Sequence, residues 1–170
     1  MMESKPDNAR LFLALWPDPA VRAALRTWRD AWNWPRGASP VHTDKLHVTL
    51  HFLGDLPRAR LPALLDGFRV PFSLFALRIA RAALWHNGIA VLEPADAPPA
   101  LLDLHARLSQ ALVGLGLQPE ARTYRPHVTM ARRASGAGAP AGAAPIDWQV
   151  DRYVLVESRA GIYTVLREYT

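Results

Sequence analysis

Lys45-Leu46-His47-Val48-Thr49-Leu50-His51-Phe52-Leu53-Gly54 is the stretch on which the reading of the fold turns. Leu46, Val48, Leu50 and Phe52 alternate with His47, Thr49, His51 and Leu53, the two-residue period of a strand with one apolar face. On the other face His47 presents an imidazole, and Thr49 a hydroxyl pointing the same way. The signature returns as Arg125-Pro126-His127-Val128-Thr129-Met130-Ala131-Arg132. With six His and seven Thr in 170 residues, about a quarter of one His-x-Thr arises by chance. Two copies, each with apolar residues at both matched positions, read as two strands delivering matching side chains into one cleft.

Elements flank both motifs. Arg10 to Trp16 reads as a short buried strand. Asp18 is placed as an N-cap with Pro19 at the first helical position, and Val21, Ala24, Leu25, Trp28 and Trp32 follow at helical spacing. Those two Trp residues read as core packing rather than base-stacking platforms. Trp34 to Pro40 reads as a loop. After the first motif strand, which ends at Gly54, a second helix is expected from about Arg60, with Leu61, Leu64, Leu65 and Phe68 on one face. Phe72 to Leu84 and Ile89 to Leu92 read as strands joined through an Asn87-Gly88 hairpin turn. Pro98-Pro99 opens a third helix with a stripe of Leu101, Leu104, Leu108, Ala111, Leu112 and Leu115, closed by Gly116. The second motif strand follows, then a low-complexity segment, Ala134 to Pro145, read as a mobile surface loop. Two closing strands are expected near Trp148 to Glu157 and Ile162 to Tyr169. The order β-α-β-α-β-β-α-β-β-β suggests an α+β protein of two similar halves.

Composition bounds the chemistry. A chain of 170 residues, half of them hydrophobic, suffices for one core and is read as one domain over 1–170. It has no Cys, so neither a disulfide framework nor a thiolate metal site is available. Met1 to Arg10 is polar and the apolar run after it is only Leu11 to Trp16, so no signal peptide is expected, and a cytoplasmic monomer is the default reading. The net charge of +5 and pI near 10.2 suit an anionic ligand such as RNA. Eighteen of the 20 basic residues are Arg, which fits phosphate recognition and a GC-rich genome equally.

Two His on matching strands suit a reaction needing an acid and a base on opposite sides of one centre. Hydrolysis of a phosphodiester is such a reaction, with water entering in line and an alkoxide leaving from the other apical position. An imidazole serves either role near neutral pH. Thr49 and Thr129 are placed to donate to the non-bridging oxygens. The scheme requires neither metal nor cofactor. A zinc site built from His47 and His127 lacks a third ligand at a suitable spacing, and no Gly-x-Ser-x-Gly marks a serine hydrolase.

On these residues, Leu46 to Gly54 and Arg125 to Arg132, the chain resembles the two-histidine (2H) phosphoesterases, in particular the bacterial RNA 2',3'-cyclic phosphodiesterases once called 2'-5' RNA ligases. The opening strand, the Leu101-to-Gly116 helix and the closing Val154-to-Tyr169 segment carry the similarity across the chain. The resemblance implies a bilobal fold of two pseudo-symmetric antiparallel-sheet lobes, helices outside, with a metal-free cleft between them. It implies opening of an RNA or nucleoside 2',3'-cyclic phosphate to a 2'-phosphomonoester, with reversible 2'-5' ligation in some members. By position, His47 would protonate the leaving 3' oxygen and His127 would activate water. Thr49, Thr129 and Arg132 would hold the phosphate, and Phe52 would border the base.

Three points stay open at this level. Met130 replaces the family's usual Leu, a volume-conserving change. Strict alternation puts Arg132 on the face opposite His127, so its role needs the strand to end or twist there; Arg133 has the right parity. His51 shares the parity of His47 and is expected to face solvent or line the cleft mouth. His42 and His86 are assigned to loops, and His105 to the border of a helix stripe. The competing functions are a non-catalytic RNA-binding module and a 2H enzyme acting on a 2'-5' oligonucleotide or an ADP-ribose cyclic phosphate.

Overall fold

β1 (Asn8–Leu15) is flanked by β3 (Val48–Pro57) on one side and β8 (Tyr153–Arg159) on the other, and the sheet grows from it. The computed structural model describes residues 6–170; the first five residues of the polar opening lie outside the described part. The remaining elements are α1 (Pro19–Asp30), β2 (Ser39–Pro40), α2 (Leu61–Gly67), β4 (Phe75–Leu84), β5 (Ala90–Pro94), α3 (Pro99–Gly114), β6 (Val128–Arg132), β7 (Ile146–Val150) and β9 (Ile162–Tyr169). Short 3-10 turns precede β3 and α2.

The strands form one antiparallel sheet in the order β7-β4-β5-β6-β3-β1-β8-β9, with β2 on the edge of β6. The motif strands β3 and β6 are therefore the two central ones. They touch through a single pair, Val48 opposite Val128, each the residue after its motif His. Four strands extend to either side of that seam, so the architecture is α+β with two matching half-sheets.

Local chemistry accounts for the helices. The Asp18 carboxylate accepts from the Val21 N–H at 2.8 Å and Pro19 fills the first turn. At the far end of α3 the Leu117 N–H reaches the Leu112 carbonyl at 2.9 Å and Gly116 N–H the Val113 carbonyl at 3.0 Å, with Gly116 at φ +77°. That is the glycine-terminated helix end expected from sequence. All helical core side chains, Leu25, Trp28, Leu64, Leu101, Leu104, Leu108 and Leu112 among them, join one large cluster with Leu11, Leu13 and Leu15 of β1. Burying each such Leu contributes about 1.5–3 kcal/mol. The opposite face of β1 and β8 carries a smaller cluster, Phe12, Ala14, Val154 and Val156, with Trp16, Tyr163 and Val165 packed on it and no helix involved. One sheet face thus belongs to the helices and the other floors a cleft.

Three local expectations are corrected. Trp148 to Glu157 is two strands: β7 pairs with β4 in one half, the chain breaks at Asp151-Arg152, and β8 pairs with β1 and β9 in the other. Nothing in Asp-Arg punctuates a strand, so the switch left no signal. The 34–40 segment includes β2, and β3 runs past Gly54 to Pro57 because Gly54 takes up φ +74° within it. The 134–145 segment is pinned: Asn33 and Gly138 exchange two backbone hydrogen bonds, and Trp28 Nε1 donates to the Ala144 carbonyl at 2.8 Å. No helix among the described residues is long and apolar enough to cross a membrane.

Candidate active site

The two motif histidines are held alike. His47 Nδ1 lies 2.6 Å from the Lys45 carbonyl and His127 Nδ1 lies 2.7 Å from the Arg125 carbonyl. A carbonyl only accepts, so each ring carries its proton on Nδ1, and each Nε2 in the neutral ring is a bare lone pair. His47 Nε2 takes the Thr49 hydroxyl proton at 2.9 Å. The two motif strands meet at the single pair Val48–Val128, and the charge of His127 acts on His47 across that seam. The Tyr124 hydroxyl donates to the Thr49 carbonyl at 2.9 Å, fixing that strand from the loop leading to His127.

Both motif strands carry a β-bulge at the same place. Against β1, Thr49 pairs with Ala14 and His51 with Leu13, leaving Leu50 extra; against β5, Thr129 pairs with Val91 and Ala131 with Ala90, leaving Met130 extra. An inserted residue shifts the alternation by one. Leu50 and His51 consequently both turn to the helix side, as do Met130 and Ala131, and all four are buried. Phe52 and Arg132, the next residues, return to the exposed side with the histidines.

The bulges resolve the parity of Arg132. It stands on the cleft face, close enough that its charge acts on His47, whereas Arg133 follows the strand end at φ +53°. They also correct the expectation for His51, which is only 5% exposed. Its Nε2 donates to the His105 carbonyl at 2.9 Å, and its ring stacks on His105, which stacks in turn on Tyr124, at centroid distances of 4.0 and 3.9 Å. Phe52 is 56% exposed and faces Phe12 at 6.2 Å. Thr129 lies half-buried on the cleft side of β6. His42 and His86 are assigned to loops by the structure as well, outside every strand and α-helix.

Burial disfavours the charged form of both imidazoles. Burial pushes His47 down to about 4; the positive charges of Arg22, His127 and Arg132 add to this and the Lys45 carbonyl opposes it. Burial likewise lowers His127, with the Arg125 carbonyl and Glu93 pulling the other way. Arg22 of α1 donates to the Thr43 and Leu46 carbonyls at 2.7 and 3.1 Å, bracing the turn that presents His47. Among the described residues no three His, Cys, Asp or Glu side chains are grouped to hold a metal ion.

Sequence reasoning missed the aromatic walls. Phe12 at 4.9 Å, Trp16 at 5.8 Å and Tyr163 at 5.8 Å surround the His47 ring; Trp85 at 4.5 Å flanks His127. Glu93 accepts from Trp85 Nε1 at 2.9 Å and from Arg125 Nη2 at 2.6 Å, and the Arg125 guanidinium lies 4.5 Å from the Trp85 ring. The position of Trp85 just before Asn87-Gly88 was the one available hint, since a hairpin turn returns its flanks to a neighbouring strand.

Known proteins share this fold. A curated RNA 2',3'-cyclic phosphodiesterase of Escherichia coli K12 is 31% identical, the match covering 75% of this chain and 74% of the relative. One of the same name from Thermus thermophilus is 32% identical over 95% of this chain and 89% of its own. The crystal structure of E. coli LigT complexed with 3'-AMP superposes with a TM-score of 0.79 at 26% identity, covering 95% of this chain and 97% of that one. The family model described as 2'-5' RNA ligase superfamily matches residues 17–161. With that match running through both motif strands, the chain belongs to the 2'-5' RNA ligase superfamily.

Proposed function

We propose that the protein hydrolyses 2',3'-cyclic phosphate at RNA 3' ends, or on nucleosides, to a 2'-phosphomonoester without a metal. The observation that carries the reading is the matched support of the two rings: His47 and His127 are each held through Nδ1 by the carbonyl two residues upstream, beside the one pair that joins the motif strands. His127 Nε2 takes a proton from the attacking water as its oxygen bonds to phosphorus. The bond from phosphorus to the 3' oxygen breaks, and His47 Nε2 delivers a proton to that oxygen. The hydroxyls of Thr49 and Thr129 donate to the non-bridging oxygens, and the Arg132 guanidinium neutralises their charge. Phe52, exposed beside Phe12, borders the base. One proton has then passed from His47 to His127, and exchange with solvent resets the pair. In the same sense, an incoming 5' hydroxyl in place of water accounts for 2'-5' ligation.

The names of the relatives and the 3'-AMP complex of LigT agree with this substrate class. The test is a short RNA ending in 2',3'-cyclic phosphate, incubated with EDTA present. Wild type should release the 2'-phosphomonoester, and His47→Ala or His127→Ala should each lower the rate by about 10²–10⁴ while remaining folded. Full activity in either variant, or inhibition by EDTA, would remove that part of the mechanism.

A further inference from the structure

The two halves carry a matched cation beside their histidines, and the two cations are paired differently. Lys45 and Arg125 stand at the same place, two residues before their His, and each lies over an aromatic ring that packs on that His. Lys45 Nζ is 5.2 Å from the Tyr163 centroid, and Arg125 is 4.5 Å from that of Trp85. Arg125, however, is already neutralised by Glu93 at 2.6 Å, whereas among the described residues Lys45 has no carboxylate within ion-pair distance. Asp44 beside it turns to His42 at 3.7 Å.

Lys45 also borders a half-open cavity of about 360 Å³, lined by His42, Asp44, Lys45, Gly161, Ile162 and Tyr163. Its outer wall is the β8–β9 turn, where Ala160 and Gly161 both take positive φ, 51° and 77°. Two such residues make a tight hairpin turn whose twist matches the strands, so this wall is set by the backbone. A Cβ on Gly161 would stand 3.8 Å from Lys45 Nζ, which shows how closely the turn approaches the cation. Ile162, first residue of β9, is 66% exposed on the rim. The cavity adjoins the reaction centre across Tyr163, which lines it and packs edge-on to His47 at 5.8 Å.

We propose that this cavity seats the next nucleotide of the RNA, on the 5' side of the one bearing the cyclic phosphate. Lys45 pairs with the phosphodiester joining the two, while Ile162 and the Tyr163 ring take the upstream base. An unpaired cation next to an aromatic surface is the combination that holds single-stranded nucleic acid without reading its sequence. The asymmetry also gives the strand a direction: it leaves the cleft past the β8–β9 turn, and not past Trp85, where the cation is already paired. The inference rests on the reaction proposed above and makes the enzyme one for RNA ends rather than free cyclic nucleotides.

The test compares kcat/KM of the full chain on adenosine 2',3'-cyclic phosphate and on uridylyl-adenosine ending in the same cyclic phosphate. Wild type should favour the dinucleotide by about tenfold, chiefly through KM. Ile162→Asp, a change at an exposed position outside the catalytic set, should bring that ratio close to one. Lys45→Gln should reduce the ratio and remove most of its decline between about 50 and 200 mM salt. A wild-type ratio near one, or an unaltered ratio in both variants, overturns the seat and leaves the reaction standing. Hydrolysis of neither substrate overturns the reaction, and the seat with it.

Discussion

The pH dependence of kcat/KM tests the site most directly, because the structure sets its sign. Burial disfavours imidazolium, and it holds His47 down to about 4 and His127 below its ordinary 6.5. The reaction needs one ring protonated and the other neutral, and kcat/KM reports these states in the free enzyme. The productive form is therefore most abundant between the two values, so the maximum should lie on the acid side of pH 6.5. Above the upper value that form thins tenfold per pH unit, so about a hundredfold loss should accrue over two units. The assay is initial-rate hydrolysis of a cyclic mononucleotide, with burst kinetics to establish that chemistry limits turnover. Stability bounds the acid limb. A histidine with a depressed folded value stabilises the fold above its unfolded pKa and loses that contribution as pH falls toward the folded one. Circular dichroism at each pH separates unfolding from protonation. A maximum at pH 7.5 or above, or a flat profile from pH 5 to 8 with chemistry limiting, would refute the argument.

Two substitutions probe the supports of the pair. The Glu93 carboxylate favours protonated His127, so Glu93→Gln should move the alkaline limb of kcat/KM to lower pH, while Gln retains the bond from Trp85 Nε1. An unmoved limb would show that Glu93 does not act on that ring. Tyr124→Phe removes the hydroxyl that donates to the Thr49 carbonyl, which should cost about 1–2 kcal/mol in urea unfolding. It should also lower kcat more than it raises KM, because Thr49 is loosened beneath His47; a change confined to stability would limit Tyr124 to the fold.

How much of this was written in the chain depends on the range over which each feature acts. The helices were legible because caps are local: Asp18-Pro19 at one end of α1 and Gly116 beyond α3 act within four residues. The motif strands were legible because their apolar faces repeat every second residue. The bulges were not, since an extra residue has no composition of its own, and Leu50-His51 reads as ordinary alternation. Yet a trace existed in the second copy, where Met130-Ala131 is an apolar pair in a strand that should alternate, and where the proposed phosphate ligand Arg132 fell on the wrong parity. One cause explains both, and it moves His51 inward in the first copy by the same step. The walls of the site lay beyond any such reasoning. Tyr163 reaches His47 only because β9 pairs with β8, β8 with β1 and β1 with β3, a chain of contacts no local pattern encodes.

Matched motifs with matched bulges nevertheless yield unequal histidines. Behind the matched motifs the chain differs: His47 lies among Phe12, Trp16, Arg22 and Arg132, and His127 between Trp85 and the Glu93–Arg125 pair. A ring near 4 is a poor proton donor at pH 7 in the empty cleft, so if His47 is the acid its proton has to arrive with the anion. Sulfate tests this cleanly, having the size and charge of phosphate but no titration in the range. If an anion between Thr49, Thr129 and Arg132 draws a proton onto His47, sulfate affinity must strengthen as pH falls from 7 to 5, by up to about tenfold per unit. His47→Ala should abolish that slope and His127→Ala preserve it. Titration calorimetry in buffers of different ionisation enthalpy measures the same proton uptake independently. A slope that survives His47→Ala and vanishes in His127→Ala would exchange acid and base; no slope in wild type would show that the anion does not protonate the pair.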